Sequence, residues 1–319
     1  MKQYIKWFAK LLLLALILVI VDFGVGKLAN YVFRIDNMTN PGYISRVTSC
    51  NDDIIIIGSS TANHHYISRQ IQDSIGMNVY NAGLDGAFFI FQNCVINYLL
   101  EYNQPKYILW EIGEDCLSDN MVNGSEYQLV NLLYPYYNDD YIHRAIDDLD
   151  DWQWLRMKSN IFCDNSNMIH DVLTVFTRIH KGYPKTSMLN EDINQGYKPL
   201  PNTGYEYPLL KSDSVAEYIN FQKVEMFRNT INQCKNKGVR IIITSSPRHY
   251  DAVLLSSKQA CELRRIAKEE NVPYMNFYNY HPISNQNYYF KDCDHLNSNG
   301  AEAYMEVFIP ELKRVLVNY

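Results

Sequence analysis

Five short aliphatic runs, each stopping at small polar residues, constrain most of this chain. Asp53 to Ile57 ends in Gly58-Ser59-Ser60, Asn78 to Tyr80 ends in Asn81-Ala82-Gly83, and Tyr107 to Ile112 ends in Gly113-Glu114-Asp115. Val239 to Thr244 ends in Ser245-Ser246, and Pro273 to Phe277 is the fifth run. Runs this short and this rich in β-branched residues suit strands buried on both faces. Helical patterns alternate with them, at Tyr66 to Ile75, Phe88 to Leu100, Ala216 to Cys234, Ser257 to Glu269 and Asn299 to Leu316. The alternation predicts an α/β domain over 51–319, a three-layer α/β/α arrangement around a parallel sheet.

The rhythm lapses between Asp115 and Val215, a stretch rich in Tyr, Asn and Asp, with a helical pattern at Met168 to Arg178 and turn-like residues from Lys181 to Pro208. A structureless loop of that length would be abnormal in a compact domain. The expectation is an inserted subdomain at about 116–215 over the C-terminal edge of the sheet.

Residues 1–27 are of another kind. Leu11 to Val21 is uninterrupted aliphatic, and from Ile5 to Gly26 the segment is long enough to cross a bilayer as a helix. Lys2, Lys6 and Lys10 precede the run, so the positive-inside rule places the N-terminus in the cytoplasm and the remainder outside. No A-x-A-like cleavage site follows, which favours an uncleaved anchor (1–27) and a polar linker (28–50) over a signal peptide. Asp22 reads as interfacial; its sharper reading is a contact with a membrane partner. The net charge of −6 divides unevenly, +3 over the first 27 residues and −9 over the remaining 292. That balance argues against nucleic acid as a partner and against a bare polyanion as substrate. The seven cysteines contain no C-x-x-C pair and no metal-ligand spacing, so neither a metal nor a cofactor is expected.

In a parallel sheet, reactive side chains collect beyond the carboxyl ends of the strands. Here those positions hold Ser59 and Ser60; Asn81, Gly83, Asp85 and Gly86; Glu114 and Asp115; and Ser245, Ser246, Arg248 and His249. Asp292-Cys293-Asp294-His295 stands just before the last helix. A serine, an acid and a histidine are thus delivered to one edge, the inventory of a nucleophilic serine site.

The blocks Gly58-Ser59-Ser60, Asn81-x-Gly83-x-x-Gly86 and Asp292-x-x-His295-Leu296-Asn297 resemble those of the SGNH/GDSL hydrolase superfamily, over about 190 residues of sheet and helix. The resemblance implies a flavodoxin-like sheet, Ser60 as nucleophile, His295 as base and Asp292 as its orienting acid. It implies an oxyanion hole made by the amides of Ser60 and Gly86. One element departs from the pattern: where the family carries an asparagine after the third strand, this chain has Glu114 and Asp115, and a carboxylate cannot donate to an oxyanion. A single anchor ahead of such a domain resembles the membrane-tethered proteins that partner membrane-bound O-acyltransferases, D-alanyl transfer proteins of Gram-positive cell walls among them.

Each motif also has a plain reading. Gly-Ser-Ser after a strand can simply be a turn and helix cap. His64 and His65 can belong to a polar loop, Arg248 and His249 to a solvated one, and Asp85 to a turn. The functional alternative makes Asp115, His65, Arg248 and His249 the lining of a substrate pocket. Two reactions share the same residues: an esterase or deacetylase acting on an extracytoplasmic glycan or cell-surface polymer, and an O-acyl transferase handing the acyl group to a hydroxyl. A non-catalytic glycan-binding or scaffold domain is the reading from another class.

Overall fold

The computed structural model describes residues 2–35, 42–118, 129–147, 152–163, 195–203, 218–250 and 255–319, with short stretches between 169 and 177 and between 206 and 209. Helices α1 (Lys2–Ile35) and α2 (Tyr43–Ser49) come first. Then follow β1 (Ile54–Ile57), α3 (Ser60–His65), α4 (Ser68–Ile75), β2 (Val79–Asn81), α5 (Phe89–Tyr102) and β3 (Tyr107–Glu111). After α6 (Asp140–Asp147) and α7 (Gln153–Arg156) come α8 (Phe221–Asn236), β4 (Arg240–Ser245) and α9 (Lys258–Glu269). The chain closes with β5 (Tyr274–Asn276), α10 (His281–Ser284) and α11 (Ser298–Asn318).

The chain divides into two compact units, one of residues 1–48 and 130–184, the other of residues 49–129 and 185–319. The second unit holds a five-stranded sheet, ordered β2-β1-β3-β4-β5 and parallel at every pairing. Both faces are covered, which is why the four isoleucines of β1 and all five residues of β3 are buried. The edge strands β2 and β5 are three residues each. On one face Tyr66, Phe277, Tyr304 and Phe308 form an aromatic cluster with ring centroids 5.0–6.2 Å apart, four of the pairs edge to face and Tyr304–Phe308 tilted. α5 is buried from Phe89 through Leu100, and Asn93 and Asn97 in it both donate to Thr230 Oγ1 of α8 at 2.6 Å. The cap of α11 is Asn297, whose side chain accepts from Gly300 N.

The first unit is built on α1, long and apolar enough to cross a membrane. It runs as one helix to Ile35, and α2 follows at Tyr43, so part of the stretch read as a linker (28–50) is helical. Residues 130–184 fall into this unit, a narrower segment than the insert expected at 116–215. Residues 195–203 return to the sheet unit: Asn81 N donates to Gln195 O, Lys198 N to Asn63 O and Ser298 N to Leu200 O. The turn-like residues from Lys181 to Pro208 lie mostly outside the described residues, and the helix expected at 168–178 partly so.

Phe308, in contact with Tyr66, Phe277 and Tyr304, is the fully buried phenylalanine of this aromatic cluster. Phe308→Ala is expected to cost about 3–5 kcal/mol, read as a lower urea midpoint at unchanged slope.

Candidate active site

β1 stops at Ile57 and the chain turns through Gly58 into α3, whose first residue is Ser60. Ser60 Oγ lies 2.6 Å from His295 Nε2. His295 Nδ1 lies 2.8 and 3.0 Å from the two oxygens of Asp292. Asp292 Oδ1 also accepts the backbone N–H groups of Asp294 and His295, each at 2.9 Å. The turn therefore folds around its own carboxylate, as aspartate-led turns do. An ionised carboxylate only accepts, so in the neutral ring the proton sits on Nδ1 and the Nε2 lone pair faces the serine hydroxyl. Partial burial pushes the Asp292 carboxyl up, but the bonds from the His295 ring and the two amides outweigh it and hold the group below the usual carboxylate range. Ser60, His295 and Asp292 thus form one hydrogen-bonded chain, though they come from opposite ends of the domain.

Behind this chain lies a second one. Glu111, at the end of β3, is 1% exposed. Its carboxylate accepts Thr61 Oγ1 at 2.5 Å and Ser246 Oγ at 2.9 Å. Ser246 spends its proton on Glu111 and so accepts from His65 Nδ1, 2.8 Å away. His65 Nε2 in turn accepts the N–H of Leu296 at 2.9 Å. Each bond dictates the next, and together they fix His65 as the Nδ1–H tautomer. Burial, aided by the charges of Arg248, His295 and His64, pushes its pKa well below the ordinary histidine value. The neutral ring ties the backbone next to His295 to the centre of the sheet. Thr61, Glu111 and Ser246 were not singled out as a unit from the sequence. The available signal was Glu111 itself, an acid ending an otherwise apolar central strand.

His65 and His249, expected at a substrate pocket, are both buried within the domain instead. His65 is 0% exposed and belongs to the relay, and His249 is 1% exposed, with Nδ1 donating to Ser284 O at 2.7 Å and its ring against Phe290. Arg248 is not on a solvated loop either. Its side chain is 15% exposed, and it reaches Asp294 at 3.0 Å and Thr61 Oγ1 at 3.2 Å. Burial works against its charge, and Glu111 and Asp294 more than offset that. Asp115 is exposed, and its charge is felt at Arg248 and at Tyr278. Glu114 turns inward, where it accepts from Tyr274 Oη and Asn276 Nδ2 and pairs with Arg264. Gly86 has a left-handed φ of 78°, which suits glycine. The neighbouring amides of Gly83 and Leu84 are taken, by Asn81 Oδ1 and Gly58 O.

A rim completes the site. His64 Nδ1 donates to Lys198 O at 2.6 Å, Nε2 lies 3.2 Å from Asp85, and the ring stands edge-on to His295 with centroids 5.7 Å apart. The bond from His64, helped by one from Asn63 and against the effect of burial, brings Asp85 down to about 2. Asp292, Cys293 and Asp294 present donor atoms within 4.8 Å of one another, but Asp292 is committed to His295 and Asp294 to Arg248.

No family model matches this chain, and no curated protein does. Among solved structures, a candidate acylhydrolase from Bacteroides fragilis NCTC 9343 aligns at 11% identity and TM-score 0.37, covering 81% of this chain and 86% of that one. A candidate platelet activating factor from Streptococcus pneumonia aligns at 11% identity and TM-score 0.35, covering 93% of this chain and 95% of the other.

The buried relay has a pH signature. On acidification the unfolded chain protonates His65 near its ordinary pKa of about 6.5, whereas the folded chain does not, so stability is lost as pH falls below that value, by up to about 1.4 kcal/mol per pH unit. His65→Gln removes this uptake. Its urea midpoint is expected to fall less than that of the wild type between about pH 7 and about pH 5.

Proposed function

We propose that this chain carries out serine-dependent acyl-ester chemistry, and the observation that carries the reading is the unbroken chain from Asp292 through His295 to Ser60. Ser60 Oγ attacks the acyl carbonyl as His295 Nε2 takes its proton. The carbonyl oxygen becomes an oxyanion. Collapse breaks the ester bond, His295 returns the proton to the departing alkoxide, and an acyl-Ser60 ester remains. The second half repeats these steps with water or another hydroxyl as nucleophile. Asp292 holds the ring tautomer and stabilises the imidazolium that forms in each half.

Two amides face the oxyanion in this mechanism. Ser60 opens α3, where an N–H has no partner within the helix, and the Gly86 amide lies on the loop after β2. Directly after β3, Glu114 and Asp115 stand where the resembling family has its asparagine, so the third contribution passes to a charge. Arg248, bonded to Thr61 beside the nucleophile, supplies positive potential and offsets Asp115.

The sequence resemblance to SGNH/GDSL hydrolases agrees with these roles. It extends the reading to an acylated glycan or cell-surface polymer outside the membrane, with α1 as a single-pass anchor whose lysine-bearing end is cytoplasmic. Between esterase and O-acyl transferase, the carboxylates of Glu114 and Asp115 where the resembling family carries an asparagine favour a specialised transfer, in company with a membrane-bound O-acyltransferase.

The full chain in detergent is expected to react with a fluorophosphonate at Ser60 and to lose that labelling in Ser60→Ala. Equal labelling of the two proteins would remove Ser60 as nucleophile, and no labelling of the wild type would favour a binding domain. Asp292→Asn turns an amide NH₂ toward His295 Nδ1 and moves the ring proton to Nε2, so p-nitrophenyl acetate turnover should fall by on the order of 10⁴-fold. Rapid labelling with slow p-nitrophenyl acetate hydrolysis, accelerated by an added polyol acceptor, is the outcome expected of a transferase.

A further inference from the structure

Helix α1 changes character at Asp22. Residues 3–21 are exposed on every side. At ~1.5 Å per residue they cover about 28 Å, close to the ~30 Å of a bilayer's hydrocarbon core. From Asp22 onward one stripe, formed by Asp22, Gly26, Ala29 and Phe33, is covered by residues of the same unit. Asp22 Oδ1 accepts Ser159 Oγ at 2.6 Å and Ile161 N at 2.9 Å, while Oδ2 accepts Asn160 N at 3.0 Å and Asn160 Nδ2 at 3.2 Å. A Cβ on Gly26 would fall 2.1–2.5 Å from the Asn160 side chain, so only glycine admits this approach. Ala29, Val32 and Phe33 then pack on Cys163 and Val172. The loop at 159–161 is thereby held at the level where the exposed span ends.

The residues around that clamp are not those of a water-facing surface. Trp152, Trp154, Leu155, Phe162, Leu173 and Phe176 are 41–63% exposed. Scattered singly, such residues need no explanation. Here they belong to one small unit clamped to the end of an apolar span, and tryptophan is the residue enriched where a bilayer meets water.

We propose that the exposed side chains of Trp152, Trp154, Leu155, Phe162, Leu173 and Phe176 form a collar in the interfacial layer of the bilayer that α1 crosses, among the lipid headgroups and upper acyl chains. The Asp22 clamp sets its depth. The clamp also lets an acid end the span, since both carboxylate oxygens are satisfied without water. This rests on α1 being membrane-spanning, and the two ideas can fail separately.

The chain has four tryptophans, at 7, 110, 152 and 154, and Trp110 is buried in the sheet as a constant background. The full chain is reconstituted in phosphatidylcholine vesicles brominated either high or low on the acyl chains. In Trp7→Phe, emission should be quenched strongly by shallow bromine and weakly by deep bromine. In the double variant Trp152→Phe, Trp154→Phe, the retained Trp7 reports α1 alone. Quenching of Trp7 without quenching of Trp152 and Trp154 overturns the collar and leaves the span. Loss of both overturns both. Emission from Trp152 and Trp154 that is insensitive to bromine yet shielded from aqueous iodide means a protein covers them, which also overturns a lipid-facing collar. Asp22→Ala, made in the Trp7→Phe background, should weaken the shallow quenching; no change would overturn the clamp's part in setting depth.

Discussion

A carboxyl group buried at the end of the central strand, Glu111, organises everything around Ser60. Leaving it unpaired would cost several kcal/mol, because burial of a charge or polar group without partners is among the most expensive events in folding. Its partners are Thr61 from the turn that carries Ser60, Ser246 from the end of β4, and the nearby charge of Arg248 at 3.9 Å. Satisfying Glu111 therefore brings the ends of β1, β3 and β4 into one arrangement. Ser246 passes the constraint to His65, and His65 passes it to the amide of Leu296, next to His295. Ser60 and His295 are separated by 235 positions in sequence, yet each is one short relay from the same acid.

The order of the strands explains why that acid stands where it does. In a sheet ordered β2-β1-β3-β4-β5 the connections change direction beside β1, and the crevice outside β1 and β3 is where such folds gather ligands. Ser60 leaves β1, Glu111 ends β3 and Arg248 follows β4, so all lie at the carboxyl edge. The Asp292 turn needs less help. Its carboxylate takes two amides of its own turn together with the ring, so the pairing of acid and histidine is local, and only their meeting with Ser60 depends on the fold.

That difference decides what could be read from residues alone. Strands were legible because a parallel sheet covered on both faces demands unbroken apolar runs; Ile54 to Ile57 has no other comfortable home. The meeting of the Asp292–His295 pair with Ser60 was legible because a serine, a histidine and an acid stood at strand ends that a parallel sheet gathers on one edge. His65 and His249 were not, because polarity in sequence says nothing about which face of a turn packs inward, and both are buried by segments distant along the chain. Glu114 and Asp115 looked interchangeable as neighbours, yet one pairs with Tyr274, Asn276 and Arg264 while the other is exposed. The end of α1 was hidden for the same reason. Nothing near Asp22 in sequence satisfies it, and its donors lie 137–139 residues away.

Asp22 and Glu111 are two solutions of one problem in separate units. Each places an acid in an otherwise apolar element, and each recruits hydroxyl or amide donors from remote segments until both oxygens are occupied. An apolar contact tolerates sliding, because one methyl group is nearly as good a neighbour as another. A carboxylate with directed donors does not: moving α1 by one helical turn, or β3 by one residue, would leave it in apolar surroundings without partners, at several kcal/mol. Such an acid adds little net stability, since its desolvation consumes most of what its bonds return. What it selects is position. In β3 that position aligns a histidine with a serine, and in α1 it fixes where the exposed apolar span ends and the covered part of the helix begins.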